Sequence, residues 1–124
     1  MDGSAGAFSF SALTLEAIEA ADPAILDALP FGIVGLNQSG EVDVYNATEA
    51  RLAGLTRDGV LGKHFFLAVA PCMNNYLVAQ RFEDERRLDA TIDYVLTFRM
   101  RPTPVKIRLL QAPEARRRYL LIQR

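Results

Sequence analysis

The chain has 124 residues, of which half are hydrophobic and 23% are charged, which is typical of one globular domain and excludes a disordered or fibrous chain. Its formal net charge is −1, although residues 1–71 are mainly acidic and residues 72–124 mainly basic. The sequence pI is about 5.8 and the basic residues lack interleaved aromatics, so the composition argues against a nucleic-acid partner.

Membrane and secretory segments are not expected. No apolar run approaches the ~20 residues of a membrane span. The residues after Met1 are small and acidic, which is unlike a secretory signal. The single cysteine, Cys72, excludes an internal disulfide and a CxxC metal site. We therefore expect a soluble protein of the cytoplasm, without a membrane partner.

Residues 1–28 are predicted to form a helical cap on a main body of residues 29–124. Thr14 is a suitable N-cap for a short amphipathic helix. Asp22 and Pro23 then provide an N-cap and a first-turn proline for a second helix. The Leu29-Pro30 pair ends it, because a residue before proline avoids helical angles.

The main body is predicted to open with a β-hairpin of strands 31–36 and 41–45 around a turn at 37–40. Helical segments follow, predicted at 47–53, 57–61, 65–70 and 74–87. Gly54 and Gly62 mark the ends of the first two of these segments. Three more strands are predicted, at 91–100, 105–111 and 117–123. This order predicts an α+β fold with a five-stranded antiparallel sheet and helices over one face.

Five separated motifs then carry a family resemblance. They are Phe31-Gly32, Tyr45-Asn46-Ala47-x-Glu49, Gly62-Lys63-x-Phe65-Phe66, Val69-Ala70-Pro71-Cys72 and Met100-x-Pro102-Thr103. Together they resemble the photoactive yellow protein family, a branch of the PAS fold. The resemblance covers about residues 26–124, with three residues fewer than the family between Cys72 and Met100.

The resemblance implies a chromophore site. Cys72 matches the cysteine that binds p-coumaric acid (4-hydroxycinnamic acid) through a thioester, a bond suited to a thiolate nucleophile. Tyr45 and Glu49 match the pair that donates hydrogen bonds to the chromophore's phenolate oxygen. Met100 matches a residue near the ring that speeds the return to the dark state. The pocket walls correspond to Val34, Phe65, Val69, Ala70, Tyr94 and Leu96, which are equally explained as core residues.

Two positions depart from the family pattern. Leu55 stands where the family usually has an arginine over the chromophore ring. Ala53 replaces a threonine whose hydroxyl supports the tyrosine, so Tyr45 loses one hydrogen-bond partner. Both changes predict a shifted absorption colour and photocycle rate.

Several site residues also have ordinary structural interpretations. Asn46 and Glu49 have the spacing of a capping box, in which the carboxylate reaches back to the N-cap N–H. A lone cysteine is usually a small buried hydrophobe. His64, the only histidine, is expected at the surface or at a helix end.

The resemblance implies a blue-light photoreceptor in which Glu49 gives its proton to the ligand, and the isolated buried carboxylate then loosens the N-terminal cap. The partners expected for such a receptor are a downstream signalling domain, such as a kinase, or a separate partner protein. A second copy of the chain, forming a homodimer, is a further expected partner. The alternatives are a PAS module that binds another ligand or dimerises without light, and an enzyme using Cys72 as nucleophile with His64 as base. We expect no enzymatic activity in this domain itself.

Overall fold

The computed structural model describes residues 6–97 and 101–124. Five strands form one antiparallel sheet in the order β2-β1-β5-β4-β3. The strands are β1 Gly32–Leu36, β2 Val42–Tyr45, β3 Leu88–Leu96, β4 Thr103–Gln111 and β5 Arg118–Gln123. The predicted α+β class and five-stranded antiparallel sheet are confirmed.

The helices are short. They are α1 Leu15–Ala20, α2 Pro23–Asp27, α3 Ala47–Ala53, α4 Arg57–Val60 and α5 Ala79–Asp84. A π-helical turn, Phe65–Val69, and a 3₁₀ turn, Pro71–Met73, lie between α4 and α5. Within residues 6–97 and 101–124, no helix is long and apolar enough to cross a membrane.

Local capping chemistry fixes several helix ends. The Thr14 hydroxyl accepts a hydrogen bond from Ala17 N–H, and the Thr56 hydroxyl accepts one from Gly59 N–H. Gly54 ends α3 with φ 71° and Gly62 follows α4 with φ 85°, conformations that favour glycine. The predicted helix start at Thr14 and the two glycine positions are thus confirmed.

Apolar side chains pack on both faces of the sheet. The inner face carries α3, α4, both turns and α5, with a core that includes Phe65, Met73, Phe82, Ile107 and Leu120. The outer face is covered by residues 6–28, named here the N-terminal segment. Its core consists of Phe10, Leu13, Ile18, Leu26, Phe31, Ile33, Leu110, Tyr119 and Leu121. The sheet therefore lies between two separate apolar layers.

The predicted helix 74–87 was wrong in its extent. Only α5, from Ala79 to Asp84, is α-helical. The Asn75 side-chain oxygen accepts hydrogen bonds from Leu77 N–H and Val78 N–H, so the preceding residues form a turn. Strand β3 starts at Leu88, three residues before its predicted start, because Leu88 already pairs with Gln111.

A β-bulge changes the alternation of β2. Val44 pairs with Gly35 but Val42 pairs with Leu36, which leaves Asp43 as an extra residue. As a result Val42 and Tyr45, three residues apart, both belong to the inner core, while Val44 packs against the outer one. Simple alternation would place Tyr45 and Val42 on opposite faces.

Candidate functional site

The junction between β2 and α3 brings Tyr45 and Glu49 into one buried region. Asn46, 2% exposed, organises this junction with its side chain. Its oxygen accepts from Ile33 N–H at 2.9 Å and Glu49 N–H at 3.0 Å. Its nitrogen donates to Leu26 O at 2.8 Å and Phe31 O at 3.0 Å. Each polar atom of the amide is therefore satisfied, and the start of α3 is held rigidly.

Glu49 carries a buried carboxylate on the first turn of α3, and its exposure is only 2%. Arg124 donates from Nη1 to Oε1 at 2.8 Å and from Nη2 to Oε2 at 3.2 Å. Burial raises the pKa of Glu49 above its ordinary value of 4.5, while Arg124 opposes that rise. Burial is the larger of the two effects, so the pKa of Glu49 is raised overall.

Gly32 makes room for this carboxylate. A Cβ added at Gly32 would lie 2.0 Å from the Oε1 atom of Glu49. No contact of that length is tolerable, so any side chain at position 32 would displace the carboxylate. Glycine at position 32 of β1 is therefore required for the present position of the Glu49 carboxylate.

The capping-box interpretation of Asn46 and Glu49 is half right. Asn46 is the N-cap of α3, since its side-chain oxygen accepts from Glu49 N–H. The reciprocal bond is not made, because Asn46 N–H donates to Ile33 O at 3.1 Å and the Glu49 carboxylate binds Arg124. The carboxylate is thus free of a helix-capping role.

Tyr45 is 3% exposed and belongs to the inner core. Burial raises the pKa of its hydroxyl, and the neighbouring Glu49 raises it further against a smaller opposing effect of Arg124. The phenol consequently remains a neutral O–H donor at physiological pH. Tyr45 and Glu49 thus place a hydroxyl and a carboxyl group in one buried region, beside Asn46 and Arg124.

Cys72 lies in the middle of the 3₁₀ turn, half-buried and packed against the inner core. Its carbonyl oxygen accepts from the Tyr94 hydroxyl at 2.6 Å and from the Asn75 amide at 3.1 Å. The Asn75 amide also donates to the Tyr94 hydroxyl at 2.6 Å. This triangle of hydrogen bonds fixes the backbone that carries the thiol.

Most of the predicted wall residues lie in the inner core. Val34, Phe65, Ala70 and Leu96 are buried there, and Val69 and Tyr94 pack against it. Ala53 is 8% exposed on α3, whereas Leu55 is 39% exposed after the helix end. Met100 lies outside the described residues, and its predicted role stays a prediction.

This arrangement fits an elongated aromatic acid. The half-buried Cys72 packs against the apolar cluster that includes Tyr45, and Glu49 lies one helical turn after Tyr45. A ligand with an apolar ring needs such walls, and a phenolic oxygen needs polar partners once it leaves water. The residues present therefore have the chemistry that an aromatic ligand with a phenolic oxygen requires.

Two residues of the site were missed in the sequence. Arg124 reaches Glu49 because β5 pairs with β1, with Ile122 opposite Gly32, which brings the end of β5 towards Gly32 and Glu49. That register cannot be inferred from local patterns. Asn75 could have been identified as a turn residue, since asparagine side chains often bind backbone N–H groups two residues onward.

His64 lies at the beginning of the π-helical turn, where Glu41 forms an isolated β-bridge with it. A Cβ added at Gly40 would lie 2.6 Å from the His64 Nε2 atom, so the ring packs closely on the hairpin turn. This position agrees with the predicted helix-end role.

Residues 21–122 match the family model of the PAS fold. The chain is 33% identical over 102 residues to photoactive yellow protein of Rhodothalassium salexigens, covering 80% of this chain and 82% of that protein. It is 30% identical over 122 residues to photoactive yellow protein of Rhodobacter capsulatus, covering 93% and 95%.

A solved structure agrees with these relatives. The photoactive yellow protein domain of the sensor histidine kinase Ppr from Rhodospirillum centenum superimposes with a TM-score of 0.81 at 36% identity, covering 89% of this chain and 99% of that domain. A domain of a sensor histidine kinase/response regulator from Geobacter sulfurreducens, at 14% identity and a TM-score of 0.67, shares the fold alone. The chain therefore belongs to the photoactive yellow protein family within the PAS fold.

Proposed function

We propose that this protein is a blue-light photoreceptor that carries p-coumaric acid as a thioester on Cys72. The observation that carries the proposal is the buried Tyr45 and Glu49 pair beside the apolar cluster against which Cys72 packs. Bound p-coumaric acid supplies the absorption of blue light and a double bond that isomerises.

Cys72 is the attachment point. Its thiolate sulfur attacks the carbonyl carbon of an activated acyl donor, and the sulfur–carbon bond forms as the donor's leaving group departs. The hydrogen bonds from Tyr94 and Asn75 to the Cys72 carbonyl hold the turn that carries the thiol, and Cys72 packs against the inner core. The apolar walls exclude water, which protects a thioester from hydrolysis.

Tyr45 and Glu49 hold the phenolic end of the ligand. The Tyr45 hydroxyl is neutral and can donate, and burial raises its pKa further above the ordinary value. Glu49 is a donor only when protonated, and burial favours that form by raising its pKa. Its carboxyl proton is also the one available for transfer to the ligand oxygen after light absorption.

The N-terminal segment is the proposed route of the signal. Glu49 belongs to the first turn of α3, and this turn is bonded to the segment at several points. Asn46 donates to Leu26 O, and the Asp27 carboxylate accepts from Ala47 N–H at 2.8 Å. A change in the charge of Glu49 would therefore act directly on α2.

The output is proposed to pass to a signalling protein. The Ppr relative is described as a domain of a sensor histidine kinase. A kinase or a comparable effector, within the same protein or as a separate partner, would read the state of the N-terminal segment.

The test is the colour of the chain after incubation with an activated ester of p-coumaric acid. The wild-type product should absorb in the blue, bleach under blue light and recover in the dark. Cys72→Ala should stay colourless, and Glu49→Gln should bind the pigment with a shifted absorption band. A colourless wild-type product would contradict the proposal and favour a PAS module that responds to another ligand or dimerises.

A further inference from the structure

Arg124 is the cation that meets the buried carboxylate of Glu49. Its side chain is only 16% exposed, and its two terminal nitrogens each donate to a different oxygen of the carboxylate. Such a fork is the strongest common geometry for an arginine and a carboxylate, because both bonds are charge-assisted and parallel.

Other charged groups lie near this pair. Arg51 and Arg101 line a surface cleft together with Arg124, Ala53 and Leu96. Arg51 and Arg101 are exposed to solvent, and Tyr45 is a neutral neighbour on the other side. Among residues 6–97 and 101–124, the side-chain hydrogen bonds to the Glu49 carboxylate come from Arg124.

We propose that Arg124 is a positioning residue for Glu49, which holds the ionised carboxylate in the buried site and so sets how readily Glu49 gives up its proton. This inference rests on the proposed function and adds a residue to it. It also corrects the expectation that the carboxylate formed after proton transfer is isolated, because the Arg124 guanidinium donates a hydrogen bond to each of its oxygens.

Two opposed effects act on the carboxyl group of Glu49. Burial disfavours the charged carboxylate, whereas the forked guanidinium favours it. When the carboxyl O–H proton moves to a ligand oxygen, the Glu49 oxygens become a carboxylate and the net charge of the site is unchanged. Arg124 therefore stabilises the state after transfer more than the state before it.

The first test uses the ligand-free chain, labelled with ¹³C at glutamate carboxyl groups and titrated by NMR. The Glu49 signal is assigned from its loss in Glu49→Gln. Arg124→Gln should raise the pKa of Glu49 by about 1–3 pH units, the usual effect of removing a close opposite charge. Arg51→Gln removes the same charge from the neighbouring cleft and should leave that pKa nearly unchanged.

Two outcomes would overturn the inference: an unchanged Glu49 pKa in Arg124→Gln, or an equal shift in Arg51→Gln. Should Arg124→Gln fail to fold, Arg124→Lys carries the test, because lysine keeps the charge and loses the fork. A Glu49 pKa above wild type in Arg124→Lys supports the inference, and an unchanged value overturns it.

A second test uses the pigmented chain. Arg124→Gln should return from its bleached state faster than wild type, by up to about tenfold for each pH unit of the measured pKa shift. An equal or slower return would overturn the inference. A chain that takes up no pigment would instead contradict the proposed photoreceptor function and leave the NMR result to decide the role of Arg124.

Discussion

The two faces of the sheet are stabilised in different ways. The inner face is covered by α3, α4, the π-helical turn, the 3₁₀ turn and α5. Apolar residues of these elements and of the sheet form one core. The outer face is covered by one short stretch of chain, the N-terminal segment. Leu26 and Asp27 bond this segment to the start of α3, and two further polar anchors bond it to the sheet and to the turn between β4 and β5. The outer layer is thus formed by a single segment, whereas the inner layer is formed by several elements, so we expect the outer layer to open first.

The first anchor is Arg108, a buried side chain on the outer face of β4. Its Nη1 atom donates to Phe10 O at 3.0 Å and to Leu13 O at 2.6 Å. Its Nε and Nη2 atoms bind the Asp89 carboxylate, each at 2.9 Å. One guanidinium thus links the N-terminal segment to two strands.

The second anchor is Glu19 at the end of α1. Its carboxylate accepts from Arg116 N–H at 3.0 Å, from Arg117 N–H at 3.1 Å and from the Tyr119 hydroxyl at 3.3 Å. Each anchor is a single side chain, so we expect the N-terminal segment to separate at a lower free-energy cost than the strands.

The largest effects are expected from two matched core truncations. Leu109 in the inner core and Leu13 in the outer core are both fully buried. Leu109→Ala should lower the free energy of unfolding by about 2–5 kcal/mol and destabilise the whole domain. Leu13→Ala should instead increase amide hydrogen exchange mainly in residues 6–28. Equal exchange across the strands in both variants would contradict the separation of the two faces.

Removing the first anchor should have the next largest effect. Arg108→Gln leaves the Phe10 and Leu13 carbonyls without their donor, at a cost of about 1–3 kcal/mol. We expect hydrogen exchange to increase more in the N-terminal segment than in β3 and β4, which lose the Arg108–Asp89 pair. Lys106→Gln is the control, since Lys106 pairs on the same strand with the exposed Asp93. Similar behaviour of the two variants would show that Arg108 is not an anchor.

Weakening the second anchor should cost less. Glu19→Gln keeps one acceptor oxygen and loses the charge. We therefore expect the free energy of unfolding of the N-terminal segment to fall by about 1 kcal/mol, because the bonds to the turn between β4 and β5 are weakened. Exchange should increase at α1 and at the amides of Arg116 and Arg117. Glu16→Gln, on the exposed side of the same helix, should leave these amides unchanged. Unchanged protection of these amides from exchange in Glu19→Gln would show that apolar contacts alone keep α1 packed on the sheet.

The smallest expected effect is a difference in pH dependence. The pKa of Glu49 is raised in the folded state, so the folded chain binds more protons than the unfolded chain. The free energy of unfolding should therefore fall as pH rises from about 4.5 through the raised pKa of Glu49. The pKa of Asp89 is lowered by Arg108, so its contribution is present above 3.8 and is lost on further acidification. Urea titrations across pH should show both trends, and Glu49→Gln should abolish only the first. A wild-type curve without the fall above pH 4.5 would be inconsistent with the buried carboxylate.

Local chemistry accounts for what could be predicted from the sequence. The helix start at Thr14 depends on a side-chain hydroxyl and a nearby backbone N–H, and the helix ends at Gly54 and Gly62 depend on the positive φ that glycine allows. Both are local properties that can be inferred directly from the sequence. The N-cap role of Asn46 is of the same kind, although its bonds to Leu26 and Phe31 are not.

What could not be predicted depends on distant pairing. The bulge at Asp43 is set by the partner strand, and it decides which face Tyr45 takes. The meeting of Arg124 with Glu49 follows from the register of β5 on β1. The helix expected over 74–87 was shortened by a turn around Asn75, whose side chain competes with the helix for backbone N–H groups.

Strand β4 serves both faces with consecutive residues, since Ile107 belongs to the inner core and Arg108 anchors the outer segment. One residue inserted into this strand would exchange the two roles for every following position, because the side-chain period of a strand is two. Insertions in this family should therefore accumulate in the turn between β4 and β5, before Arg116, where no side chain changes face.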